Sequence, residues 1–322
     1  MPGSFSARAP RGRFAPSPTG PLHLGNAWAA LLGWLWARAG GGHFALRIED
    51  LDAARCRPEH VEALRRDLDW LGLDFDGPVV FQSRRGELYR AALERLTGQG
   101  RAYPCFCSRA EVARAASAPH GRAEDGPVYP GTCAALGAAQ VAERSRTRPP
   151  ALRFRAEAGV VAFEDAALGR TTQDVQAEVG DFVVRRNDGV ASYQLAVVVD
   201  DAEMGMDQVL RGADLLDSTP RQLQLIRALD LPVPAHAHVP LLLGADGRRL
   251  AKRAGPPTLT ELREAGVASE RVVGLLARWA GLSEGGPRRP ADLVSGFSLG
   301  RLPRSAIRVD AALVRASLGP SG

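Results

Sequence analysis

An α/β fold, with a parallel sheet covered by helices, is what this sequence predicts, and three observations carry the expectation. Strand-like and helix-like segments alternate from residue 11 to residue 71 in the order β-α-β-α. The first strand breaks into Pro16-Ser17-Pro18-Thr19-Gly20-Pro21. The second ends in the acidic run Glu49-Asp50-Leu51-Asp52.

Each element has a local cause. Residues 11–15 read as a short strand that the prolines stop. Asn26 to Ala39 is apolar on all sides, with Trp28, Leu31, Leu32, Leu35 and Trp36, and Gly40-Gly41-Gly42 closes it, so it reads as a buried helix. His43 to Ile48 reads as the second strand, and Pro58 opens a helix with Val61, Leu64, Leu68 and Leu71 on one face. The pattern changes near Arg101. From there to Thr147-Arg148-Pro149-Pro150 lie Cys105, Cys107 and Cys133 with scattered proline and glycine, the marks of an inserted module. Strand-like runs follow at 151–163 and 181–186, and an apolar strand is expected at Val190–Val199, ending in Asp200-Asp201. Ser218-Thr219-Pro220 reads as a polar cap with proline in the first turn of a helix. Val239–Leu243 reads as a strand that leads through a turn at Gly244–Gly247 into a basic loop at Arg248–Arg253, and a helical tail closes the chain. No internal repeat or low-complexity tract interrupts this order.

Composition sets wider bounds. The 322 residues suffice for one large domain with an insertion, or for two domains, and 45% hydrophobic with 24% charged residues is ordinary for a soluble protein. No apolar run is long enough to span a bilayer and the N-terminus lacks the apolar core of a signal peptide, so a cytoplasmic location without a membrane partner is expected. The net charge of +5 fits a polyanionic partner, although an arginine-rich surface alone would give the same value. Arginine bias is extreme: of 41 basic residues only Lys252 is lysine. A guanidinium fork does not easily replace a compact ammonium at a tightly held phosphate, so the position of that lysine is informative.

Pro16 to Asn26 lies between a strand and a helix. Small and ring residues let the backbone approach a ligand, and the helix start behind them offers N–H groups to a phosphate, with His23 at its mouth. Read alone, the same segment is equally a Pro/Gly turn carrying a surface histidine.

Arg13-Phe14-Ala15-Pro16-Ser17-Pro18-Thr19-Gly20 with His23-Leu24-Gly25-Asn26 resembles the opening of the glutamyl- and glutaminyl-tRNA synthetases, including their HIGH motif. Arg47-Ile48-Glu49-Asp50-Leu51-Asp52, Val197–Asp201, Leu210-Arg211-Gly212-Ala213-Asp214 and Ser218–Gln222 resemble further blocks of that family, in its order. Arg249-Leu250-Ala251-Lys252-Arg253 stands in the place of the KMSKS-type loop, with arginine and alanine where that pattern has its first lysine and its serine. The resemblance implies a Rossmann-type class I catalytic core whose halves are residues 1–100 and 189–257, an acceptor-binding-like insertion at 101–188 and a helical segment at 258–322. It also implies ATP as a substrate with Mg²⁺, bound by His23, Gly25, Asn26, Arg249 and Lys252, and glutamate held by Arg13, Ala15, Ser17, Glu49, Tyr193 and Arg211.

Substrate chemistry agrees. Free glutamate carries two carboxylates and one ammonium, which two cationic groups and one anionic group would match, and Arg13, Arg211 and Glu49 supply them. The expected chemistry is in-line attack of the α-carboxylate on the α-phosphorus of ATP, with His23 and Lys252 stabilising phosphate charge, followed by attack of an RNA hydroxyl on the adenylate.

Cys105-x-Cys107 with Cys133 suggests one structural Zn²⁺ more than a disulfide in a cytosolic protein. Chemistry alone would choose His120 as the fourth ligand, whereas the resemblance points to Tyr129. The bland reading is three buried, inert thiols, and Cys56 is expected to be a packed side chain. After the KMSKS-type loop the tail is too short for the anticodon-reading domain of a complete glutamyl-tRNA synthetase. Together with the Cys-x-Cys…Tyr-x3-Cys insertion, this resembles the glutamyl-queuosine tRNA(Asp) synthetases, which implies queuosine-bearing tRNA(Asp) as the acceptor and a monomer. Three alternatives stand beside it: a shortened synthetase that charges the 3′ end of tRNA(Glu), a catalytically silent paralogue binding RNA or glutamate, and glutamine specificity.

Overall fold

The computed structural model of the chain describes residues 9–115, 127–248 and 256–318. Its first elements are β1 (Arg11–Phe14), α1 (Leu24–Ala39), β2 (His43–Ile48), α2 (Pro58–Trp70), β3 (Val80–Phe81) and α3 (Gly86–Gly98). The middle of the chain forms β4 (Ala102–Cys105), α4 (Arg109–Ala115), α5 (Ala138–Ser145), β5 (Ala151–Phe154), β6 (Val160–Asp165), β7 (Gly169–Asp174), α6 (Val175–Glu178) and β8 (Phe182–Arg185). It continues through α7 (Tyr193–Glu203), β9 (Gln208–Gly212), α8 (Ser218–Ala228), β10 (Ala235–Val239) and β11 (Leu242–Gly244). The last part holds α9 (Leu259–Glu264), α10 (Ser269–Trp279), α11 (Pro290–Leu293), β12 (Ile307–Val309) and α12 (Ala311–Leu318).

The main sheet is five-stranded and parallel, in the order β10-β9-β1-β2-β3. β1 is its centre, and the chain builds outward from it on both sides. That reversal of strand order opens a crevice beyond the carboxyl ends of the strands, where doubly wound sheets bind their ligands. Residues 15–17 follow β1 there, Glu49 follows β2, and Arg211 and His238 lie near the ends of β9 and β10. The apolar helix α1 packs on this sheet with Leu24, Trp28, Leu31, Leu32 and Leu35 at most 2% exposed, as an all-round apolar segment must. On the same side, Asp67 of α2 accepts from Thr260 Oγ1 (2.7 Å) and Arg263 Nε (3.1 Å), which ties α9 to the core.

Between the halves of this sheet, β4, β5 and β8 form an antiparallel sheet, and β6 pairs with β7 as a hairpin. The hairpin reaches back to the main sheet: Ala166 N donates to His236 O (2.8 Å), beside β10.

Several expectations change. The segment expected as a strand at Val190–Val199 is the helix α7 instead. Its valines favour a strand by propensity, but Leu195 to Asp201 are all buried, and Ser192 caps the helix by accepting from Leu195 N (3.4 Å). The strand expected at Val239–Leu243 divides at Pro240, which has no N–H for a ladder: β10 ends before it, and β11 pairs with β12 of the tail in a separate two-stranded sheet. The run at 151–163 also divides, into β5 and part of β6, around Gly159 at φ +96°. Ser218 and Thr219 are not caps. They lie inside α8, with hydroxyls turned to Gln194 (3.0 Å) and Arg211 (2.8 Å).

Candidate active site

The turn after β1 delivers His23 as the N-cap of α1. His23 Nδ1 accepts from Gly25 N (3.0 Å) and Asn26 N (3.3 Å), and Asn26 Oδ1 returns the bond by accepting from His23 N (3.0 Å). An acceptor Nδ1 places the proton of the neutral ring on Nε2, so the outer edge of the imidazole is a donor. Gly25 is required by the same geometry, since a Cβ there would stand 2.9 Å from His23 Cε1. Cap and anion-facing helix start are thus one structure.

Behind the turn lies a buried charge network. Arg13 grips Asp201 in bidentate fashion, Nε to Oδ1 at 2.9 Å and Nη2 to Oδ2 at 3.3 Å. Arg47, fully buried, reaches Asp201 Oδ1 through Nη1 (2.6 Å) and Glu49 Oε1 through Nη2 (3.2 Å). Burial pushes the Asp201 carboxyl up, but Arg13 and Arg47 outweigh it and hold it well below the usual range. At Glu49 the balance reverses: burial raises its pKa by more than Arg47 and Arg13 lower it. Asp200, on the same helix, accepts from Gln82 Nε2 (2.7 Å), Arg85 Nε (2.5 Å) and Tyr89 Oη (2.9 Å), and so anchors α7 to α3 and the turn before it.

Arg211 is held otherwise. Its Nε donates to His238 Nε2 (3.0 Å), Nη1 to Tyr193 Oη (3.2 Å) and Nη2 to Thr219 Oγ1 (2.8 Å). His238 Nδ1 in turn lies 2.6 Å from Asp165 Oδ2.

The network borders a cavity of about 1260 Å³. Ser17, Glu49 and Tyr193 line it, as do Cys105, Cys107 and Tyr129, together with Arg109, Arg148 and Arg186. Arg13 and Arg211 are 4% and 6% exposed and lie behind the lining.

The sulfurs of Cys105, Cys107 and Cys133 lie within 4.8 Å of one another. Tyr129 Oη is 3.4 Å from Cys105 Sγ and 3.8 Å from Cys107 Sγ, and it accepts from Cys133 N at 2.9 Å. Ligands on a tetrahedral Zn²⁺ stand roughly 3.5–3.8 Å apart, so these four atoms fit one ion. Burial and the neighbouring Cys133 push the Cys107 thiol up to about 11, and Arg153 packs against the cluster with Nε 3.2 Å from Cys105 Sγ and its guanidinium 3.7 Å over the Tyr129 ring. The backbone at Tyr129 forms an isolated bridge with Gly180 and approaches it so closely that a Cβ on Gly180 would meet Tyr129 O at 2.5 Å. Cys56 is half-buried with Sγ 3.8 Å from Glu49 O.

The structure therefore gathers Arg13, Ala15, Ser17, Glu49, Tyr193 and Arg211 around the carboxyl ends of the central strands, with His23, Gly25 and Asn26 following on the turn after β1. His120, Arg249, Ala251 and Lys252 lie outside the described residues. Sequence reasoning gave no role to Arg47, Asp200 and Asp201, although all three fall in motif blocks, where a carboxylate pair ending an apolar run was the available signal. Asp165 and His238 carried no local signal at all.

Comparison with known proteins adds three findings. A model of the class I tRNA synthetase catalytic domain (E and Q) matches residues 10–288. The chain is 54% identical over 318 residues to the Glutamyl-Q tRNA(Asp) synthetase of Symbiobacterium thermophilum, covering 96% of this chain and 98% of that protein. It is 50% identical to the protein of the same name from Nocardia farcinica, over 96% of each. In structure it resembles a glutamate tRNA ligase from Elizabethkingia meningosepticum solved with its amino acid, at a TM-score of 0.83 and 26% identity, over 96% of this chain and 69% of that one.

Proposed function

The chain belongs to the class I tRNA synthetases for glutamate and glutamine, and we propose that it is an enzyme of the glutamyl-queuosine tRNA(Asp) type. It activates L-glutamate with ATP to glutamyl-adenylate and transfers the glutamyl group to the queuosine base in the anticodon of tRNA(Asp). The observation that carries this reading is the match of 54% identity over 98% of a Glutamyl-Q tRNA(Asp) synthetase. The charge pattern supports the amino acid: the Glu49 carboxylate at the cavity wall, close to Arg47, suits an ammonium, and the buried guanidiniums of Arg13 and Arg211 suit two carboxylates.

The residues divide the work as follows. Glu49 receives the α-ammonium, and Arg13 and Arg211 receive the carboxylates. Ser17 and Tyr193 add hydrogen bonds, and the backbone at Ala15 closes the near side. The start of α1, with Gly25 and Asn26, faces the nucleotide, and His23 donates from Nε2 to a phosphate oxygen as the bond between the α-phosphorus and the departing pyrophosphate breaks. Arg249 and Lys252 complete the phosphate site. Catalysis is positioning and electrostatics, because the α-carboxylate is itself the nucleophile. Mg²⁺ accompanies ATP and neutralises phosphate charge when bound. Cys105, Cys107, Tyr129 and Cys133 hold one structural Zn²⁺ in the 101–188 module, which we assign to the acceptor. Residues 1–100 and 189–257 form the catalytic halves, 258–322 the helical tail, and the enzyme acts as a cytoplasmic monomer.

The test is glutamate-dependent ATP–pyrophosphate exchange without tRNA, followed by transfer of labelled glutamate to tRNA(Asp) with and without queuosine. Exchange with queuosine-dependent labelling is expected. Labelling of tRNA(Glu) that is lost with its terminal CCA would replace this reading by a 3′-charging synthetase. Lys252→Ala is expected to abolish exchange at an unchanged Tm, and near-normal exchange in that variant would remove lysine from the phosphate site.

A further inference from the structure

We propose that Asp165 and His238 are positioning residues for Arg211, fixing its guanidinium through one imidazole tautomer in the orientation that receives a carboxylate of glutamate. This rests on the assignment of Arg211 to the glutamate pocket. Asp165 is 3% exposed and comes from the β6–β7 hairpin, and His238 is fully buried on β10. Asp165 Oδ1 accepts from three backbone groups, Ala167 N (3.0 Å), Leu168 N (2.9 Å) and His238 N (3.1 Å). Its Oδ2 faces His238 Nδ1 at 2.6 Å. An ionised carboxylate only accepts, so Nδ1 carries the ring proton and Nε2 presents a lone pair. That lone pair takes Arg211 Nε–H at 3.0 Å. The other tautomer would set N–H against N–H at Arg211 and a lone pair against the carboxylate. A doubly protonated ring would add a second positive charge beside the guanidinium.

The consequence for Arg211 follows from its other partners. Tyr193 Oη and Thr219 Oγ1 accept from Nη1 and Nη2, and Thr219 Oγ1 also stands 3.2 Å from His238 Nε2, within reach of donating to it. Among the described residues every hydrogen-bond partner of Arg211 is therefore neutral, whereas Arg13 and Arg47 bind Asp201 directly. A buried guanidinium ordinarily takes a carboxylate as partner. Here the carboxylate stands one imidazole away, and orients the cation without occupying it. Three of its five N–H groups are committed, leaving one on each terminal nitrogen, the number a bidentate carboxylate needs. His236 stacks at 6.4 Å on the His238 ring, and Asp214 and Asp201 are the nearby acids.

Asp165→Asn separates orientation from fold. The three backbone donors keep the amide oxygen on their side, so the amide NH₂ faces His238 Nδ1 and moves the ring proton to Nε2, against Arg211. Nitrogen NMR of ¹⁵N-histidine-labelled protein reads that tautomer directly, and exchange kinetics read its effect. Expected is a shifted tautomer, a KM for glutamate raised roughly ten- to a hundredfold, a KM for ATP within about twofold of wild type, and weaker discrimination against glutamine. Arg211→Ala, run in parallel, is expected to raise the glutamate KM at least as far. If it does so while Asp165→Asn shifts the tautomer and leaves the glutamate KM unchanged, the positioning role is overturned. If Arg211→Ala itself leaves that KM unchanged, the premise fails instead. Should Asp165→Asn not fold, Thr219→Val keeps the volume and removes the hydroxyl between His238 and Arg211. The same glutamate-only rise supports the proposal, and equal losses for glutamate and ATP overturn it.

Discussion

Asp201 shows how a single side chain supports this site. It joins Arg13 and Arg47 in a nearly dry environment; without it Arg13 loses its carboxylate partner and Arg47 keeps only Glu49 and the more distant Asp200. Asp201→Asn keeps the shape and removes the charge, and a loss of about 3–5 kcal/mol in urea unfolding is expected. His236 makes the opposite kind of contribution. Burial, with Arg211 and His238 nearby, lowers its pKa from 6.5 to about 3, and His238 shifts the same way. The unfolded chain therefore binds protons that the folded chain refuses, so stability is complete above pH 6.5 and falls as pH drops from 6.5 toward 3. For His236 the loss is up to about 1.4 kcal/mol for each pH unit in that window. Unfolding midpoints at pH 7.5 and 5 should show the loss, and His236→Phe should reduce it. Arg13, Glu49 and Arg211 could be named as candidates from the sequence because motif blocks and substrate charge both point to them. Asp201 was visible as a residue, but its partners Arg13 and Arg47 lie 188 and 154 positions away.

At the scale of elements, His23 caps α1, and the proposed mechanism gives the same residue a chemical duty. His23→Asn retains a strong N-cap, so the Tm is expected to change by no more than about 2 °C. It removes the Nε2 donor, and exchange is expected to fall about 10²–10³-fold. A parallel fall in stability and activity would mean that His23 acts only as a cap. The bridge between Tyr129 and Gly180 makes a second test. Gly180 has φ +73° and no room for a Cβ, so Gly180→Ala should displace Tyr129 and lower zinc content by metal analysis, with exchange nearly intact. Elements with local signals were read correctly: β2 and the Pro58 helix start stand where apolar pattern and proline put them. The segment containing Val197-Val198-Val199 was read as a strand because propensity favours it. Burial on every side and two buried acids made it a helix.

Across the whole molecule, one cavity is lined both by Glu49 and Tyr193, proposed for glutamate, and by Cys105, Cys107 and Tyr129, with several arginines among its lining residues. If the cysteine module holds the acceptor, stripping zinc with a chelator should lower RNA transfer far more than tRNA-independent exchange. Equal losses would show that the metal supports the whole fold. Among the described residues no helix is long and apolar enough to cross a membrane. The opening β-α-β-α order, the turn that becomes the mouth of α1, and the residue types of the candidate site were legible in the sequence itself, because each is set within a few residues by sterics, capping and apolar period. Which charges face one another was decided only by the tertiary structure. A buried guanidinium takes its partner wherever packing brings one, and Asp165 reaches His238 across 73 residues because the hairpin folds back onto β10.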